Sequence, residues 1–261
     1  MKGVILAGGK GTRLDPLTRA TNKHLLPVGR EPMIFHPIRQ LVGAGIDDIL
    51  VVTGAPHMGA MVACLGGGDA LGCSLTYRVQ ERPGGIGHAL ALAAGFAHGG
   101  PVAVMLGDNV FENAITPYAQ AFAQQGSGAR VVLKEVADPE RYGIATLEGG
   151  RIAAIVEKPA RAADAGGAGG RRGLAVVGLY FYDPSVFGIL AGLAPSPRGE
   201  LEITAVNNAY IARAELRHDV CSGQWTDAGT FESLREANRI MSERESRGGS
   251  HGARGPDEPH V

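Results

Sequence analysis

The stretch Leu6-Ala7-Gly8-Gly9-Lys10-Gly11-Thr12-Arg13-Leu14 decides the reading of this sequence. It follows a short apolar run, Gly3–Ala7, that reads as a strand. A strand feeding a glycine-rich turn lets main-chain N–H groups approach phosphate oxygens closely. The two common templates do not match. A P-loop needs G-x-x-x-x-G-K-[ST], and a dinucleotide fingerprint needs G-x-G-x-x-G; here Leu14 stands where the third glycine belongs. The turn is a candidate phosphate cradle of another kind, with Arg13 and Lys23 as its cations. Arg13 suits a two-pronged grip on phosphate oxygens. On these residues alone, a tight structural turn with Lys10, Arg13 and Lys23 merely solvated stays open.

Outward from that turn, strand-like and helix-like segments alternate. Met33–Ala44 has apolar residues at helical spacing, Asp48–Thr53 reads as a buried strand, and His57–Leu65 reads as a helix. Leu75–Val79, Val102–Leu106 and Ala129–Val136 are further strands, with helices predicted over Ile86–Ala97 and Ile115–Gln125. This alternation predicts an α/β fold: a Rossmann-like mixed, mostly parallel sheet with helices on both faces. Past a soft boundary near Val136 the pattern changes. Gly143–Leu147 and Arg151–Val156 read as a hairpin, Ala175–Tyr182 as a strand, and Pro184–Ala191, Leu201–Arg213 and Phe231–Met241 as helices. One domain over residues 1–243 is expected, its halves sharing one sheet. Ala160–Arg172 and the polar tail 244–261 read as mobile.

The composition excludes several classes. The 261 residues carry 25 basic and 26 acidic side chains, so no basic excess exists for a nucleic-acid backbone. A hydrophobic share of 44% supports a sizeable core. No apolar run approaches the ~20 residues of a membrane span. Met1–Leu6 lacks the ~7–15-residue apolar region of a secretory signal. A cytoplasmic location is expected, and three cysteines without a C-x-x-C pair agree with it.

Three other places carry chemistry. Leu106-Gly107-Asp108-Asn109 puts a carboxylate just past a buried strand, where open α/β sheets bind ligands. Trp225-Thr226-Asp227-Ala228-Gly229-Thr230 precedes the last helix. Asp108 and Asp227 could converge, and two carboxylates with phosphate oxygens suit Mg²⁺. Glu157-Lys158-Pro159 pairs a possible sugar-hydroxyl acceptor with a phosphate cation, although a surface ion pair is the plainer reading. Tyr180-Phe181-Tyr182 reads as half-buried strand rather than a stacking platform.

In this order and spacing, these motifs resemble the sugar-1-phosphate nucleotidyltransferases, and the resemblance runs from Met1 to about Met241. It also includes Lys23-His24-Leu25-Leu26-Pro27, Asp138-Pro139-Glu140-Arg141-Tyr142-Gly143, Gly178-Leu179-Tyr180-Phe181-Tyr182-Asp183 and Arg198-Gly199-Glu200-Leu201-Glu202-Ile203-Thr204. The resemblance implies the nucleotide-diphospho-sugar transferase type of fold, residues 1–136 forming a nucleotide half and 137–243 a sugar half. It implies attack of a sugar 1-phosphate on the α-phosphorus of a nucleoside triphosphate, with pyrophosphate leaving. The members it most resembles join dTTP to glucose 1-phosphate.

Residue roles follow from the same resemblance. Gly8, Gly9, Gly11, Thr12 and Arg13 would hold the triphosphate, and Lys23 would neutralise charge near its α-phosphate. Leu6, Gln80, Pro83 and Gly85 would frame the base, with Gln80 bonding its edge. Asp108 and Asp227 would bind Mg²⁺. Tyr142, Gly143, Glu157 and Val176 would line the sugar pocket, and Lys158 would take the sugar phosphate. A homo-oligomer, dimer or tetramer, is implied too. The sequence departs from the pattern at Val156, at His88 (which replaces a Gln), in the longer stretch between Pro159 and Val176, and in lacking the C-terminal regulatory helices. UTP or another sugar 1-phosphate remains an alternative, as does a non-catalytic nucleotide-sugar sensor on the same fold.

Overall fold

The computed structural model describes residues 1–159 and 172–248. The apolar run of the first segment forms β1 (Lys2–Ala7), and the Ile-Leu-Val-Val run forms β4 (Asp48–Gly54). Both are buried along almost their whole length, as central parallel strands must be. They pair in parallel with each other, β1 also pairs in parallel with β6 (Val102–Leu106), and β4 with β5 (Ser74–Gln80). The helices between these strands are α1 (Phe35–Gly43), α2 (Met58–Leu65), α3 (Gly85–Ala91) and α4 (Ala94–Ala97).

The far side of the sheet is antiparallel. β11 (Gly173–Tyr182) pairs antiparallel with β6, with β8 (Ala129–Val136) and with β9 (Gly143–Glu148). β9 turns into β10 (Arg151–Glu157) through Gly149 and Gly150, both at positive φ, and β12 (Leu216–Val220) adds in parallel to β8. The resulting nine-stranded sheet takes strands from both sides of residue 136. Short pieces complete the chain. β2 (Pro27–Val28) pairs with β3 (Glu31–Pro32), and β7 (Asn109–Phe111) pairs with β13 (Trp225–Asp227). The remaining helices are α5 (Thr116–Gln125), α6 (Ser185–Gly192), α7 (Ile203–Ala212) and α8 (Phe231–Gly248).

Strand alternation splits the core in two. Val4, Leu6, Leu50, Val52, Val102 and Val104 point to one face, under α3, α6 and α7. Ile5, Ala7, Ile49, Val51, Ala103 and Met105 point to the other. A third cluster joins Leu14 of the glycine turn to Val28, Met33, Val110, Ala228, Ala237 and Ile240. Through it, α8 packs the glycine turn against the β7–β13 pair.

Three expectations change. The helix over Ile86–Ala97 is broken between α3 and α4 by a turn that Ala93 N–H closes on the Leu90 carbonyl. Tyr180-Phe181-Tyr182 is fully buried rather than half-buried, because β11 is covered on both faces. The final helix runs on to Gly248, so residues 244–248 are helix and not tail. Its apolar period ends near Met241, but Arg239 pairs with Glu236 and Glu243, and Arg247 pairs with Glu112. Residues 249–261 and most of the Ala160–Arg172 stretch lie outside the described residues. Among the described residues, no helix is long and apolar enough to cross a membrane.

One carboxylate ties several elements together. Asp183 accepts hydrogen bonds from Ser185 N and Oγ, Gly128 N (2.7 Å) and the Tyr210 hydroxyl (2.9 Å). Burial opposes its charge, but these donors outweigh burial and hold the carboxyl below the usual carboxylate range. Asp183→Ala is expected to cost about 1–3 kcal/mol in urea unfolding at neutral pH. A depressed folded pKa contributes stability that is present above the unfolded value and lost as pH falls. The gap between wild type and variant should therefore shrink below about pH 4. A gap that stays constant into acid would show that the carboxylate charge is not what holds these elements.

Candidate active site

The glycine turn leaves the end of β1 and closes on itself. Gly11 sits at φ +63°, and a β-carbon there would lie 2.9 Å from Thr18 Cγ2. Only glycine meets both demands without strain. Thr18 Oγ1 donates to the Gly11 carbonyl, and Leu14 N–H closes a single 3₁₀ turn over Thr12–Leu14. Gly9 and Thr12 are open to solvent, and Arg13 is exposed. The Arg13 guanidinium lies over Gly229, whose absent β-carbon would be 3.0 Å from Arg13 Nη2 and 3.4 Å from Asp227 Oδ2. Arg13 and Asp227 thus face the same spot from opposite ends of the chain.

Asp108 follows β6, and its carboxylate is nearly enclosed. Lys23 Nζ approaches its Oδ2 at 2.5 Å, and Asn109 Nδ2 donates to its Oδ1 at 2.9 Å. Burial alone would raise the Asp108 pKa. The Lys23 charge and hydrogen bond, with His24 and Asn109, outweigh burial and hold the carboxyl far below its usual range. Burial, and next the Lys23 charge, push the neighbouring His24 imidazole down to about 3. Its neutral ring donates from Nδ1 to Asn22 Oδ1 at 2.6 Å.

Asp227 arrives beside Asp108 because β13 pairs with β7, setting Asp227 against Asn109, and Ala228 N–H donates to the Asp108 carbonyl at 2.8 Å. Asp227 Oδ1 accepts from Arg141 Nη2 (2.5 Å) and from the Tyr142 hydroxyl (3.0 Å). Its pKa is raised, first by burial and then by the Asp108 charge, with Arg141 and Tyr142 opposing. The Tyr142 hydroxyl is pushed up by burial and by Asp227.

Beyond Tyr142 the opposite half of the site begins. Glu157 ends β10, and its Oε2 accepts from Thr204 Oγ1 at 2.6 Å. A β-carbon on Gly143 would stand 3.1 Å from Thr204 Oγ1 and 3.4 Å from Glu157 Oε2, so Gly143 opens the approach to both. Lys158 has a positive φ, 44°, held by its N–H on the Tyr142 carbonyl. Its Nζ is 3.5 Å from Glu157 Oε1 and its side chain is about half exposed. Val176 keeps its side chain in the core beside Leu133 and Tyr180. The β11–β8 register shifts just beyond it, between Val176 and Tyr180.

The remaining candidates line the other end of the glycine turn. Leu6 is a core residue whose carbonyl accepts from Gly107 N–H. Gln80 ends β5, and a β-carbon on Gly8 would lie 2.9 Å from Gln80 Oε1. Pro83 is exposed, and Gly85 opens α3 at φ +88°. This segment is stitched to the 196–202 loop: Leu201 N–H donates to the Gly84 carbonyl, and Gly87 N–H donates to the Leu201 carbonyl, both at 2.8 Å.

Three further residues of the motifs take part in the site. Arg141 clamps Asp227 and Asp138 (2.7 Å). Arg198 Nη2 lies 3.6 Å from Glu157 Oε1, a second cation near Lys158. Asn109, buried, accepts from Gly178 N–H (3.0 Å) and Trp225 Nε1–H (2.7 Å) while donating to Asp108. An arginine directly before Tyr142 was a visible signal. The Asn109 network had none, because its partners are far apart in sequence.

Residues 2–244 match the profile of the Nucleotidyl transferase family. A glucose-1-phosphate thymidylyltransferase of Xanthomonas campestris pv. campestris is 40% identical over 245 residues, covering 92% of this chain and 80% of the relative. One from Actinoplanes sp. is 42% identical over 235 residues, covering 88% and 75%. Among solved structures, a Bacillus anthracis protein described as a glucose-1-phosphate thymidylyltransferase, in complex with sucrose, superposes with a TM-score of 0.85. It is 48% identical, with 92% of this chain and 94% of that one covered. A UDP-glucose pyrophosphorylase holding UDP-glucose has a TM-score of 0.80 at 25% identity, covering 93% and 98%. Sequence, fold and the converged strand ends agree: this chain belongs to the nucleotidyl transferase family.

Proposed function

We propose that this protein transfers a thymidylyl group from dTTP to glucose 1-phosphate, releasing pyrophosphate and forming a nucleoside-diphosphate sugar. The observation that carries the reading is the convergence of Arg13, Lys23–Asp108 and Asp227 at one mouth of the sheet, with Lys158 and Glu157 across Tyr142. The names of the relatives support the choice of substrates. A bound UDP-glucose in a structural relative keeps UTP as the second reading.

An oxygen of the sugar phosphate attacks the α-phosphorus in line, a P–O bond forms, and the bond to the bridging oxygen of pyrophosphate breaks. The attacking phosphate is already ionised at neutral pH, so the step needs no general base. Positioning and charge neutralisation carry it. Arg13 grips the departing pyrophosphate, and Lys23 faces the α-phosphate. Lys158 holds the sugar phosphate, with Arg198 beside it, and Glu157 accepts sugar hydroxyls.

Asp108 and Asp227 suit Mg²⁺. They are two hard oxygen donors side by side, and Lys23 keeps Asp108 ionised as a ligand must be. Asp108 and Asp227 would hold the ion from the protein side, and substrate phosphates would be its other partners. When bound, Mg²⁺ neutralises charge on those phosphates. The protein is further proposed to act in the cytosol as a homo-oligomer.

The direct test is pyrophosphate release with Mg²⁺, crossing dTTP, UTP, CTP, ATP and GTP with glucose 1-phosphate and other sugar 1-phosphates. Highest kcat/KM is expected for dTTP with glucose 1-phosphate. Release of no pyrophosphate by folded, nucleotide-binding protein would revive the sensor reading. Asp108→Asn should lower kcat by at least about 100-fold without unfolding the chain; a near-normal rate in excess Mg²⁺ would remove its metal role. Lys158→Ala should raise KM for the sugar phosphate by about ten- to a hundredfold, the value of a charge-assisted hydrogen bond. The reverse pattern, with KM for dTTP rising instead, would relocate the sugar-phosphate site.

A further inference from the structure

Gln80 stands where the reading above puts the base, and its amide is not free to choose an orientation. Gln80 Nε2 lies 3.2 Å from the Gly85 carbonyl oxygen and 3.0 Å from His88 Nδ1. A main-chain carbonyl can only accept, so the nitrogen of the amide must face it; the reversed amide would set two oxygens against each other. One hydrogen of the amide goes to Gly85. The other goes to His88 Nδ1, which then acts as the acceptor, with the ring hydrogen on Nε2. Both donors of Gln80 are used up. What remains is Oε1, directed at Gly8 on the glycine turn.

We infer that His88 is a specificity-positioning residue: by taking the second amide hydrogen of Gln80, it leaves Gln80 as a pure acceptor toward the nucleobase. The inference rests on the nucleotide reading of this site. A pure acceptor pairs with an imide N–H. At the atom where thymine and uracil carry N3–H, cytosine carries a bare lone pair, and an acceptor facing an acceptor repels it. A polar group built for one partner discriminates strongly against an analogue that leaves it unpaired. The ring is itself held in place. A β-carbon on Gly84 would lie 2.8 Å from His88 Cγ and Nδ1, so the imidazole packs flush on the Gly84 main chain. Leu201 in turn holds that main chain through the Gly84 carbonyl.

His88 lines an open cleft with Tyr77, Arg78 and Leu92, so replacing it leaves the core intact. The test is the ratio of dissociation constants for dTTP and dCTP, measured by calorimetry on the full-length chain. Wild type, His88→Leu and His88→Asn are compared. Leucine removes the acceptor. Asparagine restores one, because its Oδ1 lies about as far along the side chain as His Nδ1. Wild type should favour dTTP, the preference should fall about tenfold or more in His88→Leu, and His88→Asn should recover most of it. N3-methyl-dTTP, which lacks the imide hydrogen, should bind wild type as poorly as dCTP. A wild type that binds dCTP as well as dTTP, an unchanged ratio in His88→Leu, or no recovery in His88→Asn would each overturn the inference. Binding is read without turnover, so failure of the transfer assay would count against the proposed reaction and not against this ratio.

Discussion

Two carboxylates held side by side at the end of a buried sheet are the constraint to which the rest of the site answers. Asp108 and Asp227 repel each other, and burial penalises both charges. Each is matched by a cation from another part of the chain, Lys23 on Asp108 and Arg141 on Asp227. The outcome differs between them. Lys23 wins against burial at Asp108, whereas burial and the Asp108 charge win at Asp227. Removing one partner of such a buried pair costs about 3–5 kcal/mol, since it leaves a charge without compensation. The turn that carries Lys23 and the turn that carries Arg141 are therefore tied to the same two strands. Positive and negative groups thus alternate across the site.

The pairing of β7 with β13 sets this geometry and is itself short, so it depends on what covers it. Trp225 and Gly178 both donate to the Asn109 carboxamide oxygen, which locks the amide whose nitrogen holds Asp108. From outside, α8 packs Ala237, Ile240 and Met241 against Leu14, Val28 and Val110. Its polar face adds Arg247 on Glu112 and a hydrogen bond from Gln224 Nε2 to Glu243. The last helix thus supports both the glycine turn and the strand pair. Past the end of its apolar stripe, the helix is held by the Arg247–Glu112 ion pair and the Gln224–Glu243 hydrogen bond, which reach the residues flanking β7 and β13.

The two halves of the chain meet at the Gln80 end of the site as well. The Leu201 main chain bonds to Gly84 and Gly87, so the segment after Gln80 is shaped by the 196–202 loop from the second half of the chain. The same loop brings Arg198 to Glu157. The segment around Gly84 and the end of β10 at Glu157 thus share one support, the 196–202 loop.

The α/β class, the central strands and the glycine turn are legible in the amino-acid order, because they depend on local properties. Continuous Val/Ile/Leu runs must be buried on both faces, and Gly11 sits at a positive φ that other residues avoid. The sequence also carried the motif order by which Asp108, Lys158 and Asp227 could be named. It took the tertiary structure to put Lys23 on Asp108, to give Tyr142 and Arg141 one shared oxygen of Asp227, and to bring His88 Nδ1 within 3.0 Å of Gln80 Nε2. It alone moved the helix end to Gly248 and kept the Val176 side chain in the core. The physical reason is range. Propensity and periodicity act over a few residues, whereas a buried charge or amide is satisfied by whatever group the fold brings within about 3 Å, however distant in the chain.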